Sequence, residues 1–186
     1  MSEENARIVR LPVAVKDSTG RRLEERLGLR FPRLAALLAR AVWRMNPESK
    51  LRNSLIRHFV RLGPEANNRG DHEAALMLYH PQVEATMPPQ LAGLGIEAQV
   101  NGREERVQLQ ARWQEEWGVF RINPGEALLA GDCVVLLVDF ETTGLSSGAA
   151  ANTKGAFVFT ISEGLAIRER VFFDQREALE AAGLSE

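Results

Sequence analysis

From residue 120 onward the sequence is a succession of β-like runs, at 120–122, 126–130, 133–143, 154–162 and 165–174. The turn pairs Gly131-Asp132 and Glu163-Gly164 stand between runs. Connections of two residues join antiparallel neighbours, because a parallel crossover needs a dozen residues or more. The part before these runs reads as helices. Helices followed by an antiparallel meander make an α+β domain with helices on one face of a curved sheet.

The helical part carries its own signals. Residues 1–20, with Pro12 and Asp17-Ser18-Thr19-Gly20, read as extended or loop, and 21–29 as a short helix. Pro32 suits a first helical turn, and Leu34, Leu37, Leu38, Ala41, Val42 and Met45 follow at helical spacing with Arg33, Arg40 and Arg44 on another face. Such an amphipathic basic helix at 33–45 can lie on a membrane, but the expectation is that its stripe covers part of a core. A helix over 48–68 should kink or restart at Gly63-Pro64. Asp71 should cap a short helix reaching Tyr79 and stopped by His80-Pro81. Residues 83–87 read as a strand, 90–100 as loop, and Asn101 with Glu104 as the opening of a helix to about Trp117. The tail at 177–184 adds a helical turn.

Charge divides the chain. Residues 1–62 hold 14 Lys and Arg against 6 Asp and Glu; residues 63–186 hold 9 against 19. The simplest consequence is that a basic front docks on an acidic remainder, within the chain or in a homodimer; a surface arm for anionic lipid is the alternative. Few aromatic residues interleave with the arginines, which disfavours nucleic acid. One cysteine, Cys133, excludes a disulfide framework and a multi-thiolate metal site and suits a reducing compartment. No apolar stretch approaches the ~18 residues of a membrane span, and the acidic opening MSEENARIVR has no apolar signal region, so a cytoplasmic location is expected.

Several segments in order resemble a known family: Asn-Arg-Gly-Asp (68–71), Leu-Tyr-His-Pro-Gln-Val-Glu (78–84), Gly-Arg-Glu (102–104) leading to Trp113 and Trp117, Gly-Asp-Cys-Val-Val-Leu (131–136), Ser-Gly (147–148) and the closing 172–184. Their order and spacing resemble a SnoaL-like domain, the polyketide-cyclase branch of the nuclear transport factor 2-like superfamily. The similarity covers roughly 55–184, and the basic front resembles N-terminal extensions of some bacterial members. The division is therefore an extension at 1–50 and a domain at 51–186. The resemblance implies a cone: a curved antiparallel sheet wrapped by helices around an apolar pocket for a small-molecule ligand. It implies either cyclase or isomerase chemistry on a carbonyl or polyketide-like substrate, or a non-catalytic binding or dimeric interaction module.

Proton abstraction beside a carbonyl needs a base in an apolar pocket and a donor at the oxygen. The position implied for the base of related steroid isomerases falls on Met87, and that of their oxyanion tyrosine on Gly63; neither can serve. The polyketide-cyclase acid falls near Val171, and Glu169 shares its face if the strand alternates regularly. His80 and Glu84, between the short helix and the first strand, are the other candidates. On 133–143, Val134, Leu136, Val138 and Phe140 form the apolar face, leaving Asp139 and Glu141 outward, with Arg168 or Arg170 as cross-strand partners.

Trp113 and Trp117 adjoin at i, i+4; with Met87, Phe140, Phe157, Phe159 and Phe172 they are candidates for a pocket wall, or for plain core. Gly144-Leu145-Ser146-Ser147-Gly148 fits a nucleophile-elbow pattern, but a strand follows it and every histidine precedes it, so a connecting loop is expected. His72 and His80 lack companions at ligand spacing, so neither metal nor cofactor is expected.

Overall fold

The computed structural model describes residues 8–17, 19–94, 98–117, 119–143 and 150–184, without the side chains of 92–94, 116, 117, 119 and 150. Seven strands form one curved, open sheet: β1 (Val9–Pro12), β2 (Tyr79–Thr86), β3 (Gln99–Asn101), β4 (Val119–Ala130), β5 (Cys133–Thr143), β6 (Ala150–Ser162) and β7 (Leu165–Phe172). Their order is β1-β4-β5-β6-β7-β2-β3. The meander β4 to β7 is antiparallel throughout, as the short connections dictate, while β2 joins it parallel to β7. Among the described residues six α-helices accompany the sheet: α1 (Leu23–Arg30), α2 (Pro32–Trp43), α3 (Lys50–Asn68), α4 (His72–Ala75), α5 (Arg103–Trp117) and α6 (Gln175–Ala181).

Prolines fall at two of the three register shifts of the sheet, the third lying at Thr160/Ile161 between β6 and β7. Pro12 ends the edge strand β1, and register shifts fall at Tyr79/Glu84 around Pro81 and at Pro124/Glu126. A residue without an N–H is tolerated at edges and bulges. The runs at 120–122 and 126–130 are thus one bulged strand. The segment 90–100, expected as loop, holds a 3-10 helix (Pro89–Leu94) and β3. Two further expectations are corrected. Helix α3 passes through Pro64 without interruption. Helix α4 is a single turn, and Tyr79, His80 and Pro81 belong to β2. Asp71 does cap α4, accepting from Ala74 N at 3.4 Å, and Asp174 caps α6 from Glu177 N at 2.9 Å.

The main core lies on the inner face of the sheet. Val134, Leu136, Val138 and Phe140 of β5 all point into it and are buried. On the outer face Val135 is buried with Leu128, Ala156 and Val158 beneath Ala178 of α6. Asp139 and Glu141 are exposed, but their partners are not the expected arginines. Asp139 lies opposite Lys154, Glu141 accepts from Asn123, and Arg168 pairs instead with Glu84.

The basic front is latched to the body by charge. Glu65, buried in α3, takes the Lys16 N–H at 2.8 Å and the Arg22 and Arg61 guanidinium groups at 2.7 and 3.2 Å. Buried Glu25 takes Arg69 at 2.7 Å, Arg21 reaches Asp71 and Glu73, and Arg40 and Arg44 reach Glu163. The docking of basic on acidic residues within the chain is therefore real. Only the end of the α2 stripe covers the core: Val42 is buried in it, while Leu34, Leu37 and Leu38 are exposed, and Ala39, outside the stripe, is buried as well. Among the described residues no helix is long and apolar enough to cross a membrane.

Candidate functional site

Helices α2 to α5 stand over the inner face of the sheet and leave a cavity of about 140 Å³. Its walls are mainly apolar: Ile56 and Leu62 from α3, Val134 and Leu136 from β5, Phe157 and Phe159 from β6. Half-buried residues line it too, among them Trp43 of α2, Phe59 and Val60 of α3 and Ile161 of β6. The fully buried liners Arg106, Gln110, Asn67 and Glu169 form the floor.

That floor is polar and fully connected. Glu169 accepts from Arg106 Nε at 2.6 Å on one oxygen, and from Arg106 Nη2 at 3.1 Å and the Tyr79 hydroxyl at 2.9 Å on the other. Arg106 Nη1 donates to Gln110 at 2.6 Å, Gln110 Nε2 donates to Asn67 at 2.7 Å, and Asn67 Nδ2 reaches the Phe120 carbonyl at 3.4 Å. Satisfied partners are what make buried polar groups tolerable. Burial, with the Glu169 charge beside it, pushes the Tyr79 phenol well above its ordinary range, so Tyr79 remains a neutral donor. Burial alone would lower the pKa of Arg106; the charge and hydrogen bonds of Glu169 more than offset it, and Arg106 stays charged.

Of the sequence candidates, Glu169 lies in the floor. Glu84 lies opposite Arg168, one position out of phase with Glu169, and therefore faces away from the cavity, exposed and paired with Arg168 at 3.2 Å. His80 is half-buried, and its Nδ1 accepts from Gln82 N at 3.2 Å outside the cavity. Phe157 and Phe159 line the cavity. Trp113 and Phe140 are buried behind it: Arg106 stands over the Trp113 ring at 5.5 Å, and Phe120 bridges Trp113 and Phe140 at 5.6 and 5.7 Å. Met87 and Phe172 border a separate, smaller hollow. The Trp117 side chain and the motif at 144–148 lie outside the described residues.

Tyr79, Arg106, Gln110 and Asn67 went unnoticed as site residues. Arg106, Gln110 and Trp113 do recur on one face of a helix, and Glu169 occupies an inward position of an alternating strand. Those were the available signals.

A sequence profile for the SnoaL-like domain matches residues 57–169. The chain belongs to the SnoaL-like domain family. The matched part of this SnoaL-like protein runs from α3 into β7 and includes all five residues of the polar floor. Among solved structures, an NTF2-like protein of unknown function from Burkholderia pseudomallei is 24% identical, with a TM-score of 0.59 over 66% of this chain and 93% of the other. TerC, crystallized with polyporic acid, is 25% identical, with a TM-score of 0.56 over 66% and 92%. A protein described as a candidate SnoaL-like polyketide cyclase of Jannaschia sp. CCS1 is 16% identical, with a TM-score of 0.53 over 68% and 88%. No curated protein matches the SnoaL-like chain.

Proposed function

We propose that the cavity binds an apolar small molecule bearing one carbonyl or hydroxyl group, and that this polar group meets the Tyr79–Glu169–Arg106 cluster. The observation that carries this reading is a hydrogen-bonded polar floor in a cavity otherwise walled by apolar side chains. Pockets of that composition use apolar walls for affinity and a few placed polar groups for orientation. A cavity of about 150 Å³ takes one aromatic ring in another protein, which sets the size of the buried part of the guest. The crystallization of TerC, a structural relative, with polyporic acid supports a ring-bearing ligand.

The same cluster has the parts for enolisation. If the Tyr79 hydroxyl turns from Glu169 to a guest carbonyl, it frees one lone pair of a carboxylate oxygen that Arg106 still holds, and it supplies the oxyanion donor in the same motion. Glu169 then takes the proton from the adjacent carbon, the electron pair of that C–H bond becomes the new C=C π bond, and the π pair of the C=O bond moves to the carbonyl oxygen. A binding role without turnover is the second reading. It is favoured by the resting geometry, in which both Glu169 oxygens are already engaged.

Titration of the full chain with acetophenone and 2-tetralone, read by tryptophan fluorescence, tests binding; Trp43 lines the cavity. Deuterium uptake beside the carbonyl, read by NMR, tests turnover. Catalysed uptake that falls in Tyr79→Phe and disappears in a Glu169→Gln variant still folded by circular dichroism establishes the enolising reading, and saturable binding without uptake establishes the binding module. Absence of saturable binding by either ketone overturns both.

A further inference from the structure

We propose that the outer surface of α1 and α2 docks this protein on an anionic lipid bilayer. Helix α2 sets Ala39 and Val42 against the body and leaves a neighbouring face in solvent. The solvent face is apolar at i, i+3, i+4 and i+7: Leu34, Leu37, Leu38 and Ala41, with the three leucines 54, 60 and 57% exposed. Immediately before it, α1 exposes Leu23 and Leu27, and the link residue Phe31 is exposed as well. Of the eight large apolar side chains that stand out in solvent among the described residues, six fall between 23 and 38. Concentration of exposed apolar residues in one segment marks an interaction surface.

Charge selects the partner. Four arginines of this segment, Arg21, Arg22, Arg40 and Arg44, are committed to carboxylates of the same chain. Arg26, Arg30 and Arg33 are exposed, interleave with the apolar residues and make no ion pair among the described residues. Glu24 is the only exposed acid from 21 to 44. Apolar side chains flanked by unpaired arginines fit the boundary between acyl chains and anionic headgroups, where guanidinium groups bind phosphate in pairs of hydrogen bonds. A second copy fits less well, because packing the surface on itself would bring two sets of like charges together.

Co-sedimentation of the full chain with vesicles tests the proposal. The protein should sediment with phosphatidylcholine–phosphatidylglycerol vesicles, remain soluble with phosphatidylcholine alone, and dissociate as salt is raised. Replacing Arg26, Arg30 and Arg33 together by Gln should lower partitioning on the order of a hundredfold, at the usual contribution per basic residue near a charged surface. Replacing Leu34, Leu37 and Leu38 together by Ser should abolish partitioning while circular dichroism stays unchanged, since all three are exposed. Failure to sediment with the anionic vesicles, or equal sedimentation of all three proteins, overturns the proposal. So does sedimentation equilibrium showing a dimer that only the leucine variant dissociates.

Discussion

Arg106 of α5 and Glu169 of β7 are joined by two hydrogen bonds, at 2.6 and 3.1 Å, and both side chains are sealed from solvent. Each charge is tolerable only because the other is there. Glu169→Gln should therefore destabilise the fold by about 3–5 kcal/mol, leaving a buried guanidinium without its counter-charge. The double variant Arg106→Met, Glu169→Leu should recover most of that loss. Urea unfolding of the two variants checks this. A double variant as unstable as the single one would show that the pair contributes net stability beyond mutual neutralisation.

Gly155 sits in the middle of β6 because Phe140 and the backbone of β7 leave no room for a side chain. A Cβ there would collide with the Phe172 carbonyl and come within 2.5 Å of the Phe140 ring. Since Phe140 also packs on Phe120, Phe157 and Phe173, it has little freedom to yield. Gly155→Ala should cost about 1–3 kcal/mol, the usual range for overpacking a core. Thermal unfolding reads it directly.

Gly164 has a different constraint. It is held at φ +81° in the two-residue turn between β6 and β7, and a Cβ there would enter the backbone of α2 at Ala39 and Arg40. The left-handed conformation alone costs an alanine about 1–2 kcal/mol. Gly164→Ala should also push α2 off the turn, weakening the Arg40 and Arg44 contacts to Glu163. Amide hydrogen exchange should accelerate in α2 and stay unchanged in β5. Uniform acceleration along the chain would mean that α2 does not move as a unit.

His72 opens α4 in a partly buried position that pushes its imidazole pKa down; a hydrogen bond with Gln114 and the Asp71 charge pull the other way without overcoming burial. In the unfolded chain it titrates near its ordinary value of about 6.5. As pH falls through that value, the unfolded chain takes up a proton that the folded one does not, so stability falls. The loss is complete once pH passes below the folded-state pKa. Melting temperatures should decline more steeply for the parent than for His72→Gln below about pH 6.5. Parallel pH profiles would show that His72 is not the group responsible.

Much of the architecture was written locally. The turn pairs at 131–132 and 163–164, the cap Asp71, the alternation of β5 and the helical period of α2 all depend on neighbours within a few residues, and all appear in the structure where the sequence puts them. Strand β2 was harder to delimit. Pro81 reads as a helix stop, and only pairing with β7 and β3 turns Tyr79 and His80 into strand residues.

The floor of the cavity depended on tertiary structure. Asn67, Tyr79, Arg106, Gln110 and Glu169 come from α3, β2, α5 and β7, and each alone reads as an ordinary polar surface residue. They become a site because the curvature of the sheet and the packing of α5 bring them together away from water, where hydrogen bonds are obligatory. The leucines of α2 show the converse. Periodicity determined that they share one face of a helix; which face meets solvent was decided by Gly164 and Glu163, which take a neighbouring side of that helix. Burial is a relation between segments distant in the chain, and a local pattern can prepare it but not assign it.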